Sequence, residues 1–357
     1  MPVTKPQDDT LNAQPDYIPA KLNIIVVGAS AGGVEMLTQL AKHLPETLEA
    51  SLFIVVHFPS QSTSFLPKIL SRVGKLPVRH PQDGESIRPG HIYIAPPDYH
   101  LLIQKGQMRL SQGPRENGHR PAIDTLFHSA ARSYGRWVTG VLLSGALDDG
   151  VAGLAMVKSQ GGLAIVQDPA EVAFDGMVRS AIANVDVDYI LPIEAIAHQL
   201  VQLSEEFLEG AIAMPEDMIH EAERVAEDKT EREEGQHFNS PSPMTCPDCG
   251  GVLWELREGE LIRFRCHVGH AYSMDSLVAE QTNDVERALW SALRALEEKA
   301  ALARRLAAHA RSQARSLSEN QFMTRADEAE KHATIVRQVV MQQKLTKSHT
   351  SISPEDS

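Results

Sequence analysis

Between residues 22 and 208, short apolar runs alternate with stretches whose apolar residues recur every three or four positions. The runs at 22–28, 51–57, 76–80, 91–95, 137–143, 162–167 and 187–191 read as strands. The stretches at 33–43, 63–73, 121–134, 150–160, 177–183 and 193–208 read as amphipathic helices, with Pro121 suited to a first helical turn. Residues 99–103 and 107–111, joined across Lys105-Gly106, read as a hairpin on an otherwise parallel sheet. This alternation predicts a doubly wound, mostly parallel α/β domain with helices on both faces, over residues 21–208.

Outside that domain the pattern changes. Residues 1–20 and 346–357 are polar and read as disordered tails, and 209–243 as a solvated acidic linker. Residues 244–275 hold every cysteine, and 276–345 are helical. Leu289, Leu293, Leu296, Ala300, Ala303, Ala307, Ala310, Ala314 and Leu317 step by four and three, a heptad seam tight with alanine. The phase breaks at Ser318-Glu319-Asn320-Gln321, which spells a capping box. A second seam then runs through Phe322, Ala326, Ala329, Ala333, Val336 and Val340. A helical hairpin, or pairing of one helix with another chain, would bury both stripes, and the hairpin is the favoured reading.

Charge and cysteine usage narrow the chemistry. A net charge of -13 argues against general nucleic-acid binding. No apolar run is long enough for a membrane span and the first twenty residues lack a signal-peptide core, so a cytoplasmic protein is expected. Cys246, Cys249, Cys266 and His270 have the spacing C-x2-C-x16-C-x3-H, which suits a structural tetrahedral zinc site, a small zinc-ribbon-like module. His270 is preferred to His267, which adjoins Cys266 directly, and a redox-active Cys-x-x-Cys is the competing reading.

The stretch Leu22 to Gly33 ends a strand in Gly28-Ala29-Ser30-Ala31-Gly32-Gly33 just before a helix. Such a turn presents the Ser30 hydroxyl at a strand's carboxyl end, with backbone N–H groups around Gly28, Gly32 and Gly33 available to an oxyanion. Other reactive residues fall at equivalent strand ends: His57, then Asp148 and Asp149 before Gly150, and Asp168. A serine, a histidine and a carboxylate on one sheet edge are what acyl transfer requires, and the pattern alone does not separate Asp148 from Asp149.

Several ordered motifs bring a resemblance into view. Val27 to Gly33, Val56-His57-Phe58-Pro59, Ile94 to Leu101, Arg120 to Phe127 and Gly140 to Gly153 together resemble the catalytic domain of the chemotaxis protein-glutamate methylesterases, the CheB family. The resemblance covers about residues 23 to 205. It implies Ser30 as nucleophile, His57 as general base and acid, Asp149 as orienting carboxylate and the Ala146 N–H as an oxyanion donor. It further implies hydrolysis of glutamate γ-methyl esters to methanol and deamidation of certain glutamines, with no cofactor for catalysis. Two departures stand out: only a short polar tail precedes the first strand, so control by a receiver domain within this chain is not expected, and Met177-Val178 replaces the family's usual Met-Pro, read as a local loop change.

Arg115, Arg120, Arg132 and Arg136 are candidates to meet acidic receptor helices, Arg120 above the others, and Tyr99 and His100 to line the cleft. The expected partners are methylated receptor or signalling helices, with a methyltransferase or self-association at the C-terminal helices. The rival expectation is a non-catalytic scaffold that keeps the esterase fold.

Overall fold

The computed structural model describes residues 23–57, 64–209, 240–258 and 261–349. The N-terminal tail, most of the acidic linker, Phe58-Pro59 and residues 350–357 lie outside the described residues.

Among the described residues, nine strands and six α-helices make up the first part of the chain. The strands are β1 (Asn23–Ala29), β2 (Ala50–Val56), β3 (Val78–Arg79), β4 (His91–Ile94), β5 (His100–Gln104), β6 (Gln107–Ser111), β7 (Val138–Leu142), β8 (Leu163–Gln167) and β9 (Tyr189–Leu191). The helices are α1 (Gly33–His43), α2 (Leu66–Val73), α3 (Ile123–Tyr134), α4 (Val151–Ser159), α5 (Gly176–Asn184) and α6 (Ile193–Glu209). Seven strands form one parallel sheet in the order β3-β4-β2-β1-β7-β8-β9. Its two faces bury separate apolar layers, so β1 and β2 carry no exposed residue. Ile24 and Val26 pack with Leu126, Phe127, Leu154 and Val178 beneath α3, α4 and α5. Ile25 and Val27, one residue out of phase, pack with Leu37, Leu70 and Ile196 beneath α1, α2 and α6.

The order of connection reverses beside β1, where Ile25 pairs with Leu52 of β2 on one side and Thr139 of β7 on the other. Loops leaving β1, β2 and β7 diverge there and open a crevice at their carboxyl ends.

Three local expectations change. The hairpin β5–β6 is a separate two-stranded sheet, because Leu101 and Ile103 turn into the layer under α3 while β3 and β9 hold the edges of the main sheet. Ser129 Oγ and Tyr134 OH of α3 accept from the amides of Ile103 and Gly106, at 3.0 and 2.8 Å. Pro121 lies ahead of α3, whose N-cap is Ala122. Met177-Val178 stands in the first turn of α5, with both side chains buried, and is no loop.

The cysteine region folds as an antiparallel sheet of β10 (Ser240–Thr245), β11 (Val252–Glu258), β12 (Leu261–Cys266) and β13 (Ala271–Ser273), in that order. Its own apolar core is small, with Leu253, Phe264, Ala271 and Tyr272 buried.

Two long helices follow, α7 (Met274–Ser312) and α8 (Ser316–His349). Arg337 pairs with Glu297, Arg304 with Glu330 and Arg311 with Glu319, so positions advance on one helix as they recede on the other. The helices are therefore an antiparallel hairpin, with Ala300, Ala303, Ala307 and Ala310 facing Ala326, Ala329 and Ala333 in its buried seam. The turn comes earlier than the capping-box string. Ala314 adopts a φ of 54°, and the Ala314 and Arg315 amides donate to Arg311 O and Ala310 O, each at 3.0 Å, closing a Schellman motif. Ser318 is thus inside α8, Leu317 is 75% exposed and off the seam, and α8 runs past residue 345 to His349.

Candidate active site

Ser30 leaves β1 on a turn that must pass close to the loop after β7. Gly32, at φ 75°, caps α1, and a Cβ there would lie 2.9 Å from Ser144 Oγ, so the position requires glycine on both counts. The Ser30 amide donates to Ser144 O at 2.9 Å and Ser144 Oγ donates back to Ala31 O at 2.7 Å. These two bonds tie the serine's turn to the end of β7.

His57, directly after β2, stands 3.0 Å from Ser30 Oγ through Nδ1 and 2.7 Å from Asp149 Oδ2 through Nε2. A carboxylate can only accept, so Nε2 carries the proton and Nδ1 is left to receive the serine's. Asp149 is 2% exposed. Its Oδ2 also accepts from the Ile123 amide at 2.7 Å, and its Oδ1 from Asn117 Nδ2 at 2.8 Å and the Asp124 amide at 3.3 Å. The carboxylate thereby sits at the positive end of α3. Burial pushes Asp149 up, but hydrogen bonding to His57, the nearby imidazole charges and the Ile123 N–H outweigh it and hold the group well below the ordinary value.

The structure separates the carboxylates that sequence left open. Asp148 turns away from His57, its Oδ1 accepting from Ser273 Oγ at 2.6 Å and Ser276 Oγ at 3.0 Å. Asp168 caps a short 3₁₀ turn through the Ala170 amide at 2.9 Å.

Among the candidate oxyanion groups, the Gly33 amide is committed to Ser30 O at 2.9 Å. Ala146 is exposed and follows Gly145, where an added Cβ would come 3.0 Å from Ser30 Cβ. Arg120 clamps Asp98 with two N–H groups, at 2.7 and 3.1 Å, and donates to Gln112 O and Gly113 O. Its guanidinium thus holds the chain as it returns from the hairpin. His100 is buried with Nε2 at 2.9 Å from Pro114 O, Tyr99 is half-exposed, and Arg136 lies over the Trp137 ring.

Two residues without an assigned chemistry in the sequence prove central. His119 stacks on His57 with ring centroids 3.6 Å apart. Burial first, then the charge of His57, lower its pKa to about 4, so at neutral pH it covers His57 as a neutral ring. Asn117, at φ 52° in the turn Glu116-Asn117-Gly118-His119, bridges Asp149 and Asp124 through Nδ2, at 2.8 and 2.9 Å. The Asn-Gly pair signals a tight turn in the sequence, but nothing there says what the turn faces.

The second cluster is Cys246, Cys249, Cys266 and His270, whose ligand atoms all lie within 4.8 Å of one another. Cys246 Sγ and Cys266 Sγ stand 3.6 and 3.5 Å from His270 Nδ1, and Cys249 Sγ lies 3.6 Å from Cys266 Sγ. Those are the edges of a tetrahedron with about 2.3 Å from centre to sulfur, so the donors fit a zinc ion; exposed His267 is not among them.

Residues 25–200 match the protein family described as CheB methylesterase. A Leptospira interrogans protein, named provisionally as a protein-glutamate methylesterase/protein-glutamine glutaminase, is 39% identical over 186 residues, covering 52% of this chain and 96% of that protein. An Anaeromyxobacter dehalogenans protein-glutamate methylesterase/protein-glutamine glutaminase is 38% identical over 185 residues, 52% of this chain and 54% of that protein. The crystal structure of the Thermotoga maritima CheB methylesterase catalytic domain superposes with a TM-score of 0.50 at 34% identity, covering 51% of this chain and 99% of that one.

Proposed function

The chain belongs to the CheB methylesterase family, and from that premise we propose that it hydrolyses γ-methyl esters of glutamates, and deamidates glutamines, on the helices of receptors or related signalling proteins in the cytoplasm. The observation that carries the reading is the unbroken line from Ser30 Oγ through His57 to Asp149, at 3.0 and 2.7 Å.

In the proposed reaction Ser30 Oγ attacks the γ-carbonyl carbon as its proton passes to His57 Nδ1. Asp149 stabilises the imidazolium through Nε2–H, and the Ala146 N–H, beside Gly145, would meet the oxyanion. His57 then protonates the departing oxygen, giving methanol, or the departing nitrogen, giving ammonia. Water, deprotonated by the same Nδ1, attacks the glutamyl-serine ester, leaving a glutamate carboxylate and restoring the serine. The Cys₃His residues would hold zinc as a structural ion, since four protein ligands leave no open position for a substrate.

The helical hairpin exposes Leu302 and Ile335, about 60% each, which suits docking on receptor helices, a methyltransferase or a second copy. Among the described residues, no helix is long and apolar enough to cross a membrane.

Ser30→Ala is expected to lower methanol release from methylated receptor on the order of 10⁵-fold and to abolish labelling by a fluorophosphonate. Release at the parent rate would remove the mechanism.

A further inference from the structure

The cysteine module is not a distant appendage of the esterase domain. Its edge strand β13 takes up the loop that bears Asn117: the Asn117 amide donates to Ala271 O at 2.7 Å, the Ala271 amide to Arg115 O at 3.3 Å, and Glu116 bridges Ala271 in parallel. The Ser273 amide donates to Asn117 Oδ1 at 2.8 Å. With its oxygen held by the module, the Asn117 side chain can turn both N–H groups only toward Asp124 and Asp149, where they are found.

A second tie is electrostatic. Arg263 of β12 is 2% exposed, and its Nη2 lies 2.6 Å from Glu116 Oε1 and 3.3 Å from Asp124 Oδ2. Glu116 and Asp124 are buried together here, and a guanidinium from the module supplies them a countercharge, while Asn117 links Asp124 to Asp149. Asp124 in turn accepts from the Gly150 and Gly153 amides, at 3.0 and 2.7 Å, fixing the turn that carries Asp149. The ligand His270 immediately precedes Ala271, so the chain from the Cys₃His group to Ser30 runs through His270, Ala271, Asn117, Asp149 and His57 with no gap.

We infer that the Cys₃His module is a working part of the esterase site, with Asn117 and Arg263 as positioning residues for Asp149, so that the site is competent only when the module is folded around its metal. The inference rests on the esterase reading above. It makes metal loading a control on hydrolysis, although the metal touches no reacting atom. A module with so small a core of its own relies on its metal to hold β12 and β13 in register.

The test uses the full-length chain and a fluorophosphonate probe, with the maximal labelling rate of Ser30 separated from the half-saturating concentration. Asn117→Gly keeps a residue suited to positive φ while removing the amide. Arg263→Met removes the charge, and Arg263→Lys keeps it. Asn117→Gly and Arg263→Met are expected to lower the maximal rate about 10- to 100-fold, with half-saturation within about twofold and one zinc retained per chain. Arg263→Lys should recover part of the loss, which a packing defect alone would not allow.

Stripping the metal with a chelator under reducing conditions should reproduce the loss, and zinc should reverse it. Hydrogen exchange across residues 115–124 should rise in step with metal loss. Parent-like labelling in Asn117→Gly and in the stripped protein, or unchanged exchange across 115–124, would overturn the inference. An unlabelled parent would instead defeat the esterase reading itself.

Discussion

The α/β domain and the cysteine module hold their key side chains by opposite means. The domain sandwiches β1 and β2 between two aliphatic layers, so the ends of those strands are rigid before any polar group is placed. Among its described residues the module buries only Leu253, Phe264, Ala271 and Tyr272 as apolar side chains, beside two cysteines and the charged Arg263. One region carries two apolar layers of its own; the other, on the inference above, is held by a metal and by the carboxylates it lies against. The lesson is that the placement of the three side chains is shared unequally: the domain places Ser30 and His57, while the region with the weaker core helps hold Asp149 through Asn117.

The largest expected effect separates the two regions outright. Cys266→Ser should abolish zinc binding, a loss on the order of 10 kcal/mol for a structural site, while the domain keeps its own cooperative unfolding transition. Metal analysis with calorimetry checks this, and collapse of both regions together would break the contrast. Next in size, Phe127→Ala, in the layer beneath α3, should cost about 3–5 kcal/mol in denaturant unfolding without changing zinc content.

The smallest effect concerns the seam where the regions meet. Burial pushes the Glu116 carboxyl up, but Arg263 above all, with His128, Arg265 and the Thr125 hydroxyl, overcomes this and lowers it from an ordinary 4.5 to about 2. Because the folded value is depressed, the stabilisation is complete above pH 4.5 and is lost as pH falls toward 2. Arg263→Met should therefore move the acid-unfolding midpoint upward, by about one pH unit or less, as followed by circular dichroism. An unmoved midpoint would mean the seam owes little to charge.

Much of this was legible along the chain. Strands buried on both faces are near-continuous apolar runs, so the sheet could be read from the hydrophobic pattern, and its topology gathers the ends of β1, β2 and β7. That is why Ser30 and His57 stood out. The Lys105-Gly106 turn marked 99–103 and 107–111 as a hairpin but carries no information on which sheet its strands join. The helical turn was missed because Ala314 occupies the left-handed position where glycine would have announced it. Arg263, in alternation with Ile262 and Phe264, reads as a solvent-facing residue, since the acidic pocket it enters is made by residues far away in sequence. Asn117 and His119 were hidden for the same reason: their partners are tertiary.

The clasp between Asn117 and β13 also bears on the order of synthesis. A polypeptide leaving the ribosome exposes its hydroxyl, imidazole and carboxylate long before Ser273 is translated, so the nascent domain would linger in a half-assembled form. Under the proposed arrangement, full hydrolytic power arrives only once β12 and β13 have been translated, and a product terminated before them would be folded yet nearly inert.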